Sequence, residues 1–126
     1  MQRVYAPLLK PLGLTYVGYL ALLVLRQRDD QTVGEIGRHL YLDSGTLTPV
    51  LRRLERLGFV TRKRADDDER EVRVALTGLG RELEAALATV RTEVGCRMAL
   101  DARAFAELRS ELQVLRARLA PPKRKA

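Results

Sequence analysis

The feature that most constrains the fold is an abrupt change of periodicity after Gly58. Before it, apolar residues recur at helical spacing and define the core side of a helix, namely Leu47, Val50, Leu51, Leu54 and Leu57. After it, residues typical of β-strands fill 59–64 and 72–76, and the charged segment 65–71 is typical of a hairpin tip. Gly58 occupies the position of a left-handed helix C-cap. The sequence therefore predicts a helix followed directly by a two-stranded ribbon.

Short polar residues predict where the other helices begin. A first helix covers residues 3–10 and stops at Pro11. The predicted N-caps of later helices are Thr15, Thr32, Thr77 and Asp101. The helix after Thr15 runs to a polar break at residues 29–31, and a short helix follows at 33–40, where Glu35 completes a capping box.

The last two helices carry apolar seams that need a partner. Their apolar positions are Leu83, Leu87, Val90 and Val94 in the fifth helix and Phe105, Leu108, Leu112, Leu115 and Leu119 in the sixth. Aromatic residues make up only 5% of the chain and Trp is absent, so few large side chains remain to fill a single-chain core. A second copy of the chain would supply the missing apolar surface.

Length and charge restrict the function classes. A chain of 126 residues fits one compact domain, and its net charge of +7 favours a polyanionic partner, either nucleic acid or an acidic membrane surface. The most apolar stretch, 16–25, is too short to span a bilayer and no signal peptide precedes it, so we expect a cytoplasmic protein without a membrane partner. One cysteine and one histidine exclude a disulfide framework and a Cys-rich zinc site, and we expect no metal or cofactor.

The order of the predicted elements is that of a winged helix-turn-helix, a DNA-reading unit. Segment 44–64 holds six positive charges against the single negative charge of Glu55, a net of +5. Basic side chains there would neutralise phosphates, and hydroxyls near the start of the fourth helix would bond phosphates or base edges. The predicted contacts are Ser44, Gly45, Thr46, Thr48, Pro49, Arg52, Arg53, Arg62 and Arg64. The alternative interpretation is that these charged residues form an ordinary solvent-exposed helix face that binds no partner.

Two details of this surface stay open at the level of sequence. Pro49 conflicts with a straight helix, so the fourth helix either bends there or begins at Thr48 as its N-cap. At the ribbon tip, Asp68 and Arg70 project to the same side of an extended strand, which lets the carboxylate orient the guanidinium toward a narrow minor groove. The alternative for the tip is a mixed-charge surface loop.

Several runs of the sequence resemble one family of bacterial regulators. Residues 41–49 read YLDSGTLTP, residues 51–55 read LRRLE, and the ribbon carries Asp68-Glu69-Arg70 and ends in Leu76-Thr77. Together with Tyr5, residues 7–9 and residues 14–16, these runs resemble the MarR family, and within it the organic-hydroperoxide-resistance (OhrR) branch.

The resemblance implies a mainly α fold with a small β-ribbon wing, dimeric through its terminal helices. We therefore expect a single domain at residues 1–120, with a DNA-binding part at about 32–77, dimerisation helices at 1–28 and 78–119, and a basic disordered tail at 121–126. The implied function is a homodimeric repressor of organic hydroperoxide detoxification genes on a pseudo-palindromic double-stranded operator. Arg70 matches the wing arginine that enters the minor groove, and Asp68 matches the acid that steadies it.

The resemblance also implies release from DNA by thiol oxidation or a small ligand, with an organic hydroperoxide or a small phenolic compound as inducer. Tyr5 and Tyr16 match two tyrosines that hold a reactive cysteine, but the chain begins after the helix that carries that cysteine. Cys96 matches a second cysteine of some members, so the expected redox residues are Cys96, Tyr5 and Tyr16. The start codon lies upstream, or this is a natural short form without redox sensing, or Cys96 senses alone.

Two other function classes are weighed against a repressor. A short winged-helix dimer would act as an interaction module that pairs with paralogous regulators and weakens their DNA binding. A thiol enzyme is disfavoured, because Cys96 has no nearby histidine or Cys-x-x-Cys partner to lower its pKa. We therefore expect a protein that is not an enzyme.

Overall fold

The computed structural model describes residues 2–65, 71–99 and 101–120. Its elements in chain order are α1 (Gln2–Leu9), a 3-10 helix (Lys10–Leu12), α2 (Tyr16–Gln27), β1 (Gln31–Thr32), α3 (Val33–Leu40), α4 (Ser44–Arg56), β2 (Val60–Arg64), β3 (Val72–Leu76), α5 (Gly78–Glu82), α6 (Glu84–Met98) and α7 (Ala102–Leu119). The chain forms two compact units, residues 1–91 and 92–126, and each is described by itself.

The predicted helix starts are confirmed by side-chain hydrogen bonds. The Thr15 hydroxyl accepts from the Gly18 N–H at 3.1 Å. The Thr32 hydroxyl accepts from the Glu35 N–H at 3.1 Å while Glu35 Oε2 accepts from the Thr32 N–H at 3.2 Å, which is the predicted capping box. The caps at Thr77 and Asp101 are formed in the same way, and Gly58 has the left-handed φ of 85° expected after α4.

The fifth predicted helix is divided in the structure. It is interrupted at Leu83, which separates the five-residue α5 from α6. Two glycines, Gly78 and Gly80, lie in α5, and glycine is a poor helix former. Gly80 is nevertheless needed there, because a Cβ at this position would lie 2.2 Å from the Phe59 carbonyl oxygen.

The sheet has one strand more than the sequence predicted. It is antiparallel with the order β1-β3-β2, where Gln31 pairs with Val74 and Val60 pairs with Leu76. The predicted two-stranded ribbon is confirmed as β2 and β3, whereas residues 29–31 were expected to form only a polar break and the two-residue strand β1 was missed. So short a strand shows no alternation of its own and depends on pairing with a distant segment.

The core of the first unit lies under α4. Leu47, Leu51 and Leu54 of α4 are buried, and Leu22, Leu25, Ile36 and Val74 join them from α2, α3 and β3. Leu57, predicted on the same side, is exposed at the end of the helix. Gly37 allows α3 to approach the turn before α4, since a Cβ there would lie 2.5 Å from the Leu42 carbonyl oxygen. This packing fixes which side of α4 faces outward.

The second unit contains α7, an 18-residue helix with no buried side chain among those described. Its large apolar residues are 42% to 75% exposed and comprise Phe105, Leu108, Leu112, Val114, Leu115 and Leu119.

Within residues 2–65, 71–99 and 101–120, no single helix is both long and apolar enough to cross a membrane. The bent pair Arg3–Leu12 and Tyr16–Gln27 meets those limits only when its two segments are taken together.

Candidate nucleic-acid interface

The first turn of α4 is held by Asp43. Its Oδ1 accepts from the Thr46 N–H at 2.7 Å, and this bond lowers the pKa of Asp43 below its ordinary value. The helix therefore begins at Ser44, and the alternative start at Thr48 is wrong. Pro49 lies inside the helix, where it removes the bond that the Gly45 carbonyl would accept.

The outer face of α4 is exposed, hydroxyl-bearing and basic. Ser44, Gly45, Thr46, Pro49, Arg52 and Arg53 are exposed, and Thr48 is half-buried. The hydroxyls lie near the N-terminus of the helix, where the macrodipole favours a negatively charged group. Among the ion pairs found in the described part of the chain, none engages Arg52 or Arg53. This face can therefore offer uncompensated cations to a polyanion.

The ribbon adds further cations beside α4. Lys63 and Arg64 are exposed on β2. The Arg62 side chain is only 17% exposed, and its Nη1 lies 3.7 Å from Glu55 Oε1 of α4. Arg62 was predicted as a DNA contact, and the structure places it between the ribbon and α4. Asp68 and Arg70, predicted at the tip, lie outside the described residues.

Two aspartates that the sequence analysis passed over fasten the ribbon to the rest of the unit. Asp29 Oδ1 accepts from the Leu76 N–H at 2.8 Å, and Asp29 Oδ2 lies 2.8 Å from Arg81 Nη2. Burial raises the pKa of Asp29, but the bonds from Leu76, Asp30 and Arg81 outweigh it, and the net pKa lies below its ordinary value. Arg73 of β3 donates to the Asp30 carboxylate at 3.1 Å. The only sequence signal was a pair of acids directly after a helix.

The predicted redox residues do not all belong to the same compact unit. Tyr5 and Tyr16 lie close together, with ring centroids 5.0 Å apart, whereas Cys96 is exposed and belongs to the other compact unit. A third ring, Tyr19, lies 5.2 Å from Tyr5 and was missed, although it follows Tyr16 by one helical turn.

Two of the three tyrosines, Tyr5 and Tyr19, have raised pKa values. Burial, together with the neighbouring Tyr16, raises the pKa of Tyr5. Burial and Tyr5 raise the pKa of Tyr19 to about 12, although Arg91 opposes the shift. These two hydroxyls therefore remain able to donate hydrogen bonds under ordinary conditions.

The sequence of this chain is similar to those of known transcriptional regulators. The MarR family profile matches residues 14–72. The organic hydroperoxide resistance transcriptional regulator of Bacillus subtilis (strain 168) is 53% identical over 77 residues, which is 61% of this chain and 52% of that protein. The match therefore spans about half the length of the B. subtilis protein. The HTH-type transcriptional regulator SarZ of Staphylococcus saprophyticus is 37% identical over 109 residues, 86% of this chain and 75% of that protein.

Solved structures give the same result for the fold. Reduced AbfR bound to DNA superimposes with a TM-score of 0.78 at 35% identity, covering 94% of this chain and 82% of that one. A crystal structure of AbfR of Staphylococcus epidermidis has a TM-score of 0.80 at 34% identity, covering 94% of this chain and 79% of that one.

Proposed function

Because the chain belongs to the MarR family of transcriptional regulators, which are not enzymes, we propose that it is a sequence-specific DNA-binding repressor. The observation that carries the proposal is the outer face of α4, where exposed hydroxyls and Arg52 and Arg53 surround a capped helix N-terminus. A relative with the same fold has been solved on DNA, which supports this use of the fold.

In the proposed complex, α4 enters the major groove. Ser44, Thr46 and Thr48 meet base edges or phosphates near its N-terminus, where Gly45 and Pro49 add only small apolar bulk. Arg52, Arg53 and Arg64 neutralise phosphates and release counterions. Arg62 acts mainly by holding the ribbon against α4 through Glu55. Arg70 enters the minor groove with Asp68 orienting it, an assignment that rests on the sequence motif alone.

We further propose that the repressor is a homodimer. The support is the apolar face of α7, where Phe105, Leu108, Leu112 and Leu115 recur at helical spacing and are 42% to 56% exposed. A continuous exposed apolar face of this kind marks an interaction surface. Two-fold pairing through the terminal helices would bury this face and would present two copies of α4 to half-sites about 10 bp apart on a pseudo-palindromic operator.

The proposed target is a gene for organic hydroperoxide detoxification, with release by thiol oxidation or by a small phenolic ligand. The support is the 53% identity to the B. subtilis regulator and the cluster formed by Tyr5, Tyr16 and Tyr19. Cys96 is the thiol available for oxidation in this sequence, and it is exposed.

Fluorescence anisotropy with DNA from upstream of the chain's own gene tests DNA binding. We expect tight binding that exceeds binding to scrambled DNA and weakens steeply with salt. Arg53→Ala should weaken binding to operator and scrambled DNA alike and lower the slope of log affinity against log salt by about 1, while Arg103→Ala, at an exposed arginine of α7, should do neither. A flat salt dependence would contradict the proposal. A chain that binds no DNA but lowers a paralogue's affinity would favour the interaction module.

A second set of titrations tests the release step. Treatment with cumene hydroperoxide is expected to lower operator affinity, and Cys96→Ser is expected to abolish that response. If Cys96→Ser responds like the unmodified chain, oxidation of Cys96 is not the release step. If neither protein responds to hydroperoxide but both release DNA with a phenolic ligand, regulation is by ligand alone.

A further inference from the structure

Glu55 is the acid of α4 that faces the ribbon formed by β2 and β3. Segment 44–64 holds no other acidic residue, and Arg52, Arg53 and Arg56 of the same helix are exposed. Glu55 Oε1 lies 3.7 Å from Arg62 Nη1 of β2, and this is the ion pair that joins α4 to the ribbon within the described residues. A negative charge at this place opposes the approach of a polyanion, so Glu55 is not itself a phosphate contact.

Arg62 is held in a largely buried position. Its side chain is 17% exposed, and its Nε is buried without a hydrogen-bond partner among the described residues. Arg62 pairs with the fully buried Val74, so the two side chains lie on the side of the ribbon that faces the core. A cation in such surroundings is costly unless an acid faces it. Glu55 therefore favours the conformation in which Arg62 lies between the ribbon and α4.

This contact lies just beyond the turn that joins α4 to the ribbon. At the turn, the Gly58 N–H donates to the Glu55 carbonyl at 2.9 Å and the Phe59 N–H donates to the Leu54 carbonyl at 3.0 Å. These bonds hold the start of β2 against the last turn of α4, and the Glu55 side chain meets the ribbon again at Arg62. Two attachments along one strand fix the angle at which the ribbon leaves the helix.

We propose that the pair of Glu55 and Arg62 sets the angle between α4 and the ribbon, and thereby determines how well the chain distinguishes its operator from other DNA. The inference rests on the proposed function, in which α4 enters the major groove and the ribbon reaches the minor groove. Both contacts form together only at a matching angle, because the duplex sets the spacing of its grooves. Phosphate contacts made at other angles supply nonspecific binding, so the pair is a positioning element that acts on specificity.

Fluorescence anisotropy of the full chain with operator DNA and with scrambled DNA tests the proposal, and the measured quantity is the ratio of the two affinities. Glu55→Gln should tighten binding to scrambled DNA, because it removes a negative charge, and yet lower the ratio about threefold to tenfold. Glu71→Gln is the matched control. It removes the same charge from an exposed position directly before β3 that no ion pair found in the described part of the chain engages, and it should leave the ratio unchanged.

Two substitutions of Arg62 separate its charge from its aliphatic stem. Arg62→Lys keeps both and should retain most of the ratio, whereas Arg62→Met keeps the stem alone and should lower the ratio as much as Glu55→Gln does. A variant that is only partly folded loses both affinities alike, so a loss of stability does not change the ratio. In the free chain, the Arg62 Nε–H resonance should shift in Glu55→Gln and stay in place in Glu71→Gln.

The outcomes separate a failure of this inference from a failure of the proposed function. If Glu55→Gln raised both affinities by the same factor, Glu55 would be a surface charge alone, and the inference would be wrong while the proposed function stood. Equal ratios for Arg62→Lys and Arg62→Met, or an unshifted Arg62 resonance in Glu55→Gln, would also overturn the inference alone. An unmodified chain that binds operator and scrambled DNA equally would contradict the proposed function, and the inference with it.

Discussion

Helices α4 and α7 carry the same kind of apolar stripe in surroundings that differ. In α4, Leu47, Leu51 and Leu54 are buried against other elements of the first unit, and the opposite face is polar and basic. In α7, Leu108, Leu112 and Leu115 repeat at the same spacing, yet each is about half exposed. Periodicity identifies an apolar face in both helices, but it does not tell whether the partner of that face belongs to the same chain. The first unit completes its own core, and α7 presents a surface to be covered.

The largest effect is expected from shortening a side chain in the stripe of α4. Leu51→Ala should lower the free energy of unfolding by about 2 to 5 kcal/mol, because it leaves a cavity at a fully buried position. Urea denaturation followed by circular dichroism measures this loss. Leu119→Ala, at the most exposed apolar position of α7, should change the value by less than about 0.5 kcal/mol when both variants are measured at concentrations at which the chain is monomeric and α7 is uncovered. Similar losses in the two variants would remove the distinction between the helices.

The next largest effect is expected on self-association. Leu112→Glu puts a charge at the centre of the proposed interface and should raise the dimer dissociation constant by at least about a hundredfold. Sedimentation equilibrium measures that constant. Gln113→Glu adds the same charge at the next position of α7 and serves as the matched control, since it lies off the stripe. If both variants stay dimeric, α7 is not the dimer interface.

The sequence predicts those features of the fold that depend on residues close together in the chain, and it misses those that depend on distant segments. The caps at Thr15, Thr32 and Asp101 were predicted because each bond joins residues three apart. Strand β1 and the bond from Leu76 to Asp29 were missed because they join segments more than forty residues apart. Pro49 was interpreted as a possible first residue of the helix, whereas the Asp43 cap starts the helix five residues earlier, at Ser44.

The candidate site shows the same limit. The exposed cations of α4 follow from helical spacing, and their exposure agrees with that expectation. Strand alternation places Arg62 on the same side of β2 as the buried Val60, but it does not reveal that Glu55 of α4 approaches the guanidinium. A recess lined by Arg28, Gln31 and Arg38 could not be predicted either, because it is formed by the residue that follows α2 together with β1 and α3.

A smaller effect on stability is expected from replacing either of two glycines in α3, the helix that packs beside α4. Gly37→Ala should destabilise the fold by about 1 to 3 kcal/mol, since the new Cβ would meet the Leu42 carbonyl oxygen at 2.5 Å. Gly34→Ala places its Cβ in ordinary contact, with Thr32 Oγ1 at 3.9 Å, and should stabilise the helix by about 0.5 to 1 kcal/mol. Thermal unfolding of both variants measures the difference. Effects of the same sign would show that α3 does not approach the turn this closely.

The smallest effect is a dependence of stability on pH. The pKa of Asp29 is lower in the folded chain than its ordinary value of 3.8. Its contribution is therefore fully present well above pH 3.8 and is lost as the pH falls through the lower folded value. Asp29→Asn should cost about 1 kcal/mol at pH 7 and should have a smaller effect at pH 3. Unfolding free energies at the two pH values test this, and an equal effect at both would contradict it.

The central claim is that α4 reads DNA while α7 joins two chains, and hydroxyl-radical footprinting of the bound operator tests both parts at once. The prediction is two protected segments with centres about 10 bp apart on one face of the duplex. Arg52→Ala and Arg53→Ala together should weaken both segments equally, because each chain contributes one α4. A single protected segment, or protection that survives the double substitution, would contradict the account.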